Sequence, residues 1–277
     1  MLHDMKILFF GDIVGKTGRK AVAKILPELK RQYQPDMVMA NAENLAHGKG
    51  VTLATFEETQ EAGVDFFTLG NHGFSKPEVK AVFERWPKKL IRPANVPDTL
   101  PGTGYQVLTV KGQEVLVINL LGQVFMEKQF DYGEIGNPFL ALNQILAGEA
   151  GKVKVKILDF HAEATSEKRG MGFWADGRVS AVLGTHTHIP TADAQILPQG
   201  TGYLTDLGMV GARDSIIGVT TDSALKRFLG GEDSPDRAPL EVAESNQAEV
   251  SFGFLEIDEA SGNCQNINIY RRAVEVI

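Results

Sequence analysis

The sequence predicts an α/β fold, a mixed pair of sheets with helices on the outside. Three observations carry this reading. Short apolar runs alternate with amphipathic segments along most of the chain. The early runs are joined by helix-length connections, whereas the last two read as a hairpin turning at Ser261-Gly262. A chain of 277 residues, 43% hydrophobic and 23% charged, can bury a core without disulfides or a structural metal. No linker, repeat or low-complexity tract divides it, so residues 1–277 are expected to form one domain.

The elements follow in order. The run Ile7 to Phe10 marks a strand over Lys6–Phe10, and the amphipathic stretch Thr17–Tyr33 a helix, with Pro27 a candidate kink. A strand is expected at Asp36–Ala40. A helix at Thr52–Ala62 opens on a cap region of Thr52, Thr55, Phe56 and Glu57. Strand Asp65–Leu69 and helix Lys76–Trp86 come next, then strands Tyr105–Val110 and Val115–Leu121 and helix Pro138–Leu146. Strands Val153–Phe160, Val179–Leu183 and Gly202–Thr205 precede a helix at Asp222–Leu229. Gly230–Pro239, with two prolines and several acids, reads as a surface loop. In the hairpin Glu249–Ile257 and Gln265–Tyr270, Phe252 and Phe254 alternate with small residues, and Ile267 and Ile269 with polar ones.

Composition excludes several function classes. Acidic residues outnumber basic ones, 35 to 28, which argues against a broad basic face for duplex nucleic acid. The one cysteine, Cys264, excludes a disulfide scaffold and a cysteine-rich metal site. The apolar run near the start is too short for a signal segment, and no run approaches the ~18 residues that would span a bilayer. A cytoplasmic protein with no membrane partner is expected.

The chemistry follows the strands. Phe10 is followed by Gly11-Asp12, and Ala40 by Asn41-Ala42-Glu43-Asn44. Leu69 is followed by Gly70-Asn71-His72, Leu158 by Asp159-Phe160-His161-Ala162-Glu163, and Leu183 by Gly184-Thr185-His186-Thr187-His188. Taken singly, Asp12 reads equally well as a helix cap and the others as turn residues. Together, five strand ends deliver oxygen and imidazole donors to the edge where α/β proteins build their sites. Four of the six histidines lie there. Carboxylate, amide and imidazole without thiolate suit Fe, Mn, Co or Zn, and the histidines argue against calcium or magnesium. The oxygen and imidazole donors at these strand ends, seven of them candidates for ligands, are too many for one tetrahedral zinc. They imply two ions sharing a carboxylate, a pair that at ~3.5–4 Å clamps both oxygens of a phosphoryl displacement.

Two other motifs are weaker. Gly15-Lys16-Thr17 resembles the end of a phosphate-binding loop, but the first glycine of that frame is Phe10 here, so the frame fails. Lys16 and Arg19, at a helix start, and Thr185, beside the last histidines, are expected substrate contacts. Ser166 as a nucleophile would need a base held beside it, and the nearby His161 is better used as a ligand.

The order Gly11-Asp12, Asn41-Ala42-Glu43-Asn44, Gly70-Asn71-His72, His161 and Gly184-Thr185-His186-Thr187-His188 resembles the calcineurin-like metallophosphoesterases. More narrowly, it resembles the YmdB-like 2′,3′-cyclic-nucleotide 2′-phosphodiesterases. The stretches 11–15, 159–168, 176–182, 191–193 and 205–209 match that branch, and the similarity runs from about Lys6 to the hairpin. The resemblance implies a four-layer α/β/β/α sandwich. It implies one metal on Asp12, Glu43, Asn44 and His188 and a second on Glu43, Asn71, His161 and His186, with Glu43 bridging. It further implies iron, with manganese as the alternative, hydroxide attack at phosphorus, and His72 as general acid, a role that suits imidazole. The first motif has Val14 where most of the wider family has histidine, a feature the branch shares. After His72 the branch continues Thr-Trp-Asp, whereas this chain has Gly73-Phe74-Ser75. The expected partner is a small phosphodiester or cyclic nucleotide, and a homo-oligomer is compatible with the sequence. A regulatory nucleotide-binding protein with slow turnover is the alternative, and a phosphomonoesterase a weaker one.

Overall fold

The computed structural model describes residues 4–230 and 239–276. The elements are β1 (Asp4–Ile13), α1 (Gly15–Tyr33), β2 (Met37–Asn41), α2 (Leu53–Glu61), β3 (Phe66–Thr68), α3 (Val79–Arg85), β4 (Tyr105–Val110), β5 (Gln113–Leu121), α4 (Pro138–Ala147), β6 (Val155–His161), α5 (Thr165–Ala175), β7 (Ala181–Thr185), β8 (Gln195–Ile196), β9 (Gly202–Leu204), β10 (Met209–Ala212), α6 (Thr221–Gly230), β11 (Gln247–Asp258) and β12 (Cys264–Glu275). They form two six-stranded sheets, ordered β12-β11-β10-β1-β2-β3 and β4-β5-β6-β7-β9-β8, with β11 pairing β1 beyond the end of β10.

Side-chain alternation sorts the core into three layers. From β1, Ile7 and Phe9 face the second sheet and meet Val117, Ile157 and Leu183, while Leu8 and Phe10 face the helix layer with Val22, Leu26 and Phe56. On the far side of the second sheet, Leu116, Ile118 and Phe160 pack on Leu142 of α4 and Met171 of α5. The result is the expected four-layer α/β/β/α sandwich. In the first sheet β1, β2 and β3 run parallel, and in the second β5, β6, β7 and β9 do. The carboxyl ends of each set therefore share one edge.

Most expected elements form within a few residues of their predicted bounds. Thr52 and Thr55 make a reciprocal capping box on α2, and α1 continues through Pro27 to Tyr33. The loop expected at Gly230–Pro239 falls, for residues 231–238, outside the described residues. Three elements were not expected. Strands β8 and β10 are short, and β10 contains Gly211; both form because neighbouring strands complete their ladders. Helix α5 carries Gly170 and Gly172, which weaken its helical signal. A Cβ at Gly172 would stand 2.5 Å from the Tyr203 ring, so the glycine lets α5 lie on the sheet. Among the described residues, no helix is long and apolar enough to cross a membrane.

Candidate metal centre

The strand ends converge as the spacing predicts. The first sheet supplies Asp12 at the end of β1, Glu43 and Asn44 after β2, and Asn71 and His72 after β3. The second supplies His161 at the end of β6 and His186 and His188 after β7. Donor atoms of Glu43, His161 and His186 lie within 4.8 Å of one another, a group able to hold a metal ion. Gly70 makes the approach possible, since a Cβ there would sit 2.3 Å from His161 Nε2 and 2.4 Å from Glu43 Oε2.

Hydrogen bonds fix which atoms face the centre. Asp159 accepts from Thr68 Oγ1 at 2.5 Å and from Thr185 Oγ1 at 2.7 Å. Thr185, having donated, accepts from His161 Nδ1–H at 2.9 Å, which leaves a lone pair on His161 Nε2. His186 Nε2–H donates to Glu163 at 2.9 Å, leaving its Nδ1 unprotonated. Asn71 gives its amide N–H to the Gln129 carbonyl at 3.3 Å, so its oxygen faces inward. Around His161 Nε2 therefore stand His186 Nδ1 at 3.0 Å, Asn71 Oδ1 at 3.0 Å and Glu43 Oε1 at 3.3 Å. All four are acceptors with no proton between them. Such a cluster repels itself unless a cation occupies its focus. Burial pushes His161 down to about 4, which keeps the imidazole neutral, as a ligand must be.

The other donors show the same need differently. Asp12 Oδ2 accepts from the His186 backbone N–H at 3.0 Å, but its buried Oδ1 has no hydrogen-bond partner, nor has Asn44 Oδ1. His188 Nδ1–H donates to the Ile217 carbonyl at 2.8 Å, so its free Nε2 faces Asp12 Oδ1 at 4.0 Å. Burial, with Glu43 and Asp206 as like-charged neighbours, pushes the Asp12 carboxyl well above its ordinary range. A cation beside it would reverse that. The residues present thus fit bound metal: oxygen and imidazole donors, two carboxylates, and orphaned buried acceptors.

The loop after β7 is held against strain. His186 and His188 adopt φ of 103° and 65°, the left-handed region that non-glycine residues avoid. Two buried charges brace it: Lys168 Nζ donates to the Thr185 carbonyl at 2.7 Å and to Asp206 Oδ2 at 2.5 Å, and Asp206 accepts from Thr187 N at 3.1 Å.

Three expected substrate contacts are placed elsewhere. Thr185 is buried beneath His161 and orients it. Arg19 is committed to Glu58 at 2.6 Å and to the Leu45 carbonyl. Lys16 lines a separate hollow of about 290 Å³ with Thr17, Lys20 and Ser245. The motif pointed to a helix start, but α1 turns that face away from the centre. His72, by contrast, lines the cleft above the donors, about 540 Å³, and its backbone N–H donates to Glu43 Oε2 at 2.9 Å. Gly73 packs on Leu69 and Phe74 is buried against Tyr132, so neither reaches toward His72. Sequence reasoning placed Asp159 and Glu163 among the strand-end donors without a supporting role, and gave no role to Lys168 or Asp206. For Asp159 a signal existed, because it shares a strand face with His161 two residues on.

The family model of the YmdB-like proteins matches residues 8–270. The chain is 44% identical over 224 residues, 81% of its length and 82% of the relative's, to a protein of Bacillus subtilis (strain 168) named 2′,3′-cyclic-nucleotide 2′-phosphodiesterase. A crystal structure titled as a novel phosphatase of Mycoplasma pneumoniae superposes with a TM-score of 0.89 at 34% identity, covering 99% of this chain and 95% of that one. A crystal structure of a hypothetical protein from Thermus thermophilus gives 0.87 at 39% identity, covering 98% and 100%. The donors at the strand ends, the metallophosphoesterase-type sandwich and these likenesses agree: the chain belongs to the YmdB-like family.

Proposed function

We propose that the protein is a metal-dependent phosphodiesterase that opens 2′,3′-cyclic nucleotides to 3′-nucleotides. The observation that carries this is the convergence of four unprotonated acceptors on one focus at the floor of a cleft. The relative named for that reaction supplies the substrate class. Asp12, Asn44 and His188 would hold one ion and Asn71, His161 and His186 a second, with Glu43 shared. The oxygen and imidazole donors suit Fe, Mn, Co or Zn; among these the family resemblance favours iron, with manganese as the alternative. When bound, such ions supply Lewis-acid polarisation of the phosphoryl group and a nucleophile at neutral pH. The chain's own residues do the rest. His47, Lys49 and Lys128 line the cleft and draw an anionic ester toward the floor. His72, fixed to Glu43 through its backbone, gives its proton to the leaving 2′ oxygen. Burial pushes its pKa below the ordinary 6.5, so the imidazolium is a stronger acid but the minor form at neutral pH.

One site drawn from both sheets supports a single domain over 1–277, and the buried, unpaired Cys264 supports a cytoplasmic setting. The test is turnover of 2′,3′-cyclic AMP by protein reconstituted anaerobically with Fe or Mn, with the product resolved. Metal-dependent formation of 3′-AMP is expected. Tight nucleotide binding to the two-metal protein without turnover would overturn catalysis in favour of a sensor.

A further inference from the structure

The cleft has two unlike walls. Beside the charged and polar side chains named above stands an apolar wall of Ile217, Val219, Leu240 and Val242, tied together by the bridges Ile216↔Val219 and Val219↔Val242. Ile217 and Leu240 are 47% and 42% exposed, large aliphatic side chains left to water beside a floor of carboxylates and imidazoles. Ile217 also stands at φ 47°. A β-branched residue in the left-handed region is a costly outlier, and such outliers gather at functional sites. Its backbone has a reason to be there, since the carbonyl accepts from His188 Nδ1–H at 2.8 Å. Glycine would meet that requirement without strain. Core packing does not explain the side chain either, because half of it is exposed. What explains it is contact with a molecule entering the cleft.

We infer that Ile217 and Leu240 form the shelf on which the nucleobase of the substrate lies. The inference rests on the phosphodiesterase reading above and deepens it. A cyclic nucleotide carries an anionic phosphate at one edge of its ribose and a flat, weakly hydrated base at the other. The phosphate belongs at the donor cluster. Ile217 is one hydrogen bond away from His188, so the apolar wall begins where the sugar leaves the floor. An aliphatic surface covers the face of any base and reads none of its edges, so the shelf selects for the presence of a base rather than its identity. Base-free cyclic phosphates are the poor substrates.

The test compares 2′,3′-cyclic AMP with the base-free methyl ribofuranoside 2′,3′-cyclic phosphate, using metal-reconstituted protein. The wild type is expected to favour the nucleotide in kcat/KM. Ile217→Gly keeps the carbonyl and removes the strain. It is expected to lower that preference about tenfold, through KM for the nucleotide, with no loss in melting temperature. Leu240→Ser should act in the same direction. Equal cleavage of both esters by the wild type, or an unchanged preference in both variants, overturns the shelf and leaves the phosphodiesterase reading standing. Failure of the wild type to cleave either ester overturns that reading, and the shelf with it.

Discussion

The two halves of the donor set are built differently. In the half around His161, every side chain has its remote atom tied down: Nδ1 by Thr185 over Asp159, His186 Nε2 by Glu163, and the Asn71 amide by Gln129. Its four inward atoms already lie within 3.0–3.3 Å of His161 Nε2 or at it. In the half around Asp12, two buried oxygens have no hydrogen-bond partner, and Asp12 Oδ1 stands 3.9 Å from His161 Nδ1 and 4.0 Å from His188 Nε2. One half is positioned by a supporting layer of side chains, the other by backbone and burial. The first should therefore bind its ion tightly and depend on its supporting residues. The second should be the half whose charge burdens the fold when no ion is bound.

Four substitutions break or sharpen this contrast. Glu43→Ala removes the donor common to both halves, so phosphodiesterase activity should fall to background and metal content below one ion per chain. Elemental analysis beside the assay checks it, and two ions retained would refute the bridge. His72→Ala removes none of the expected donors, only a 3.3 Å contact of its Nε2 with the Asn71 amide nitrogen. Both ions should stay while kcat falls ~10²–10⁴-fold, the usual weight of a general acid. Thr185→Val strikes only the well-supported half. It takes the partner from His161 Nδ1–H, so affinity for one ion should weaken ~10–100-fold while the other is unchanged. Stepwise titration with Mn²⁺, followed by electron paramagnetic resonance, separates the two.

Asp12→Asn strikes the other half and has the smallest expected effect. The folded metal-free protein holds this carboxyl above the unfolded value near 3.8. Its favourable contribution is therefore full below that pH and is lost as pH rises through the raised value. The metal-free variant should then be more stable than wild type at neutral pH by roughly 1–2 kcal/mol, with no gain near pH 3. Thermal unfolding in chelator across that range checks it. A variant no more stable at pH 7 would show that the Asp12 charge does not burden the fold.

The donors themselves were legible in the sequence because they are local. A short apolar run fixes where a parallel strand ends, and the next few residues must stand at the sheet's carboxyl edge. That placed Asp12, Glu43, Asn71, His161 and His186 at one edge among other strand-end candidates, and the resemblance chose them as expected ligands; the two-sheet plan with helices outside needed only the periodicity. The loops were different. The stretch 122–136 reaches the centre through the Gln129 carbonyl, and the stretch after β10 brings Ile217 to His188. Neither contact has a periodic signal in the chain.

What the sequence determined by itself was the group of candidate donor residues and the edge they occupy, because alternation and strand length are properties of neighbouring residues. The tertiary structure decided the pairing: which nitrogen of each histidine faces inward, which oxygens are left orphaned, and that Thr185 supports a ligand while Arg19 anchors a loop. Those facts depend on partners more than twenty residues away, brought within 3 Å when β7 pairs with β6 and when the segment after β2 packs against α1. A hydrogen bond is decided at that range, and sequence spacing does not reach it.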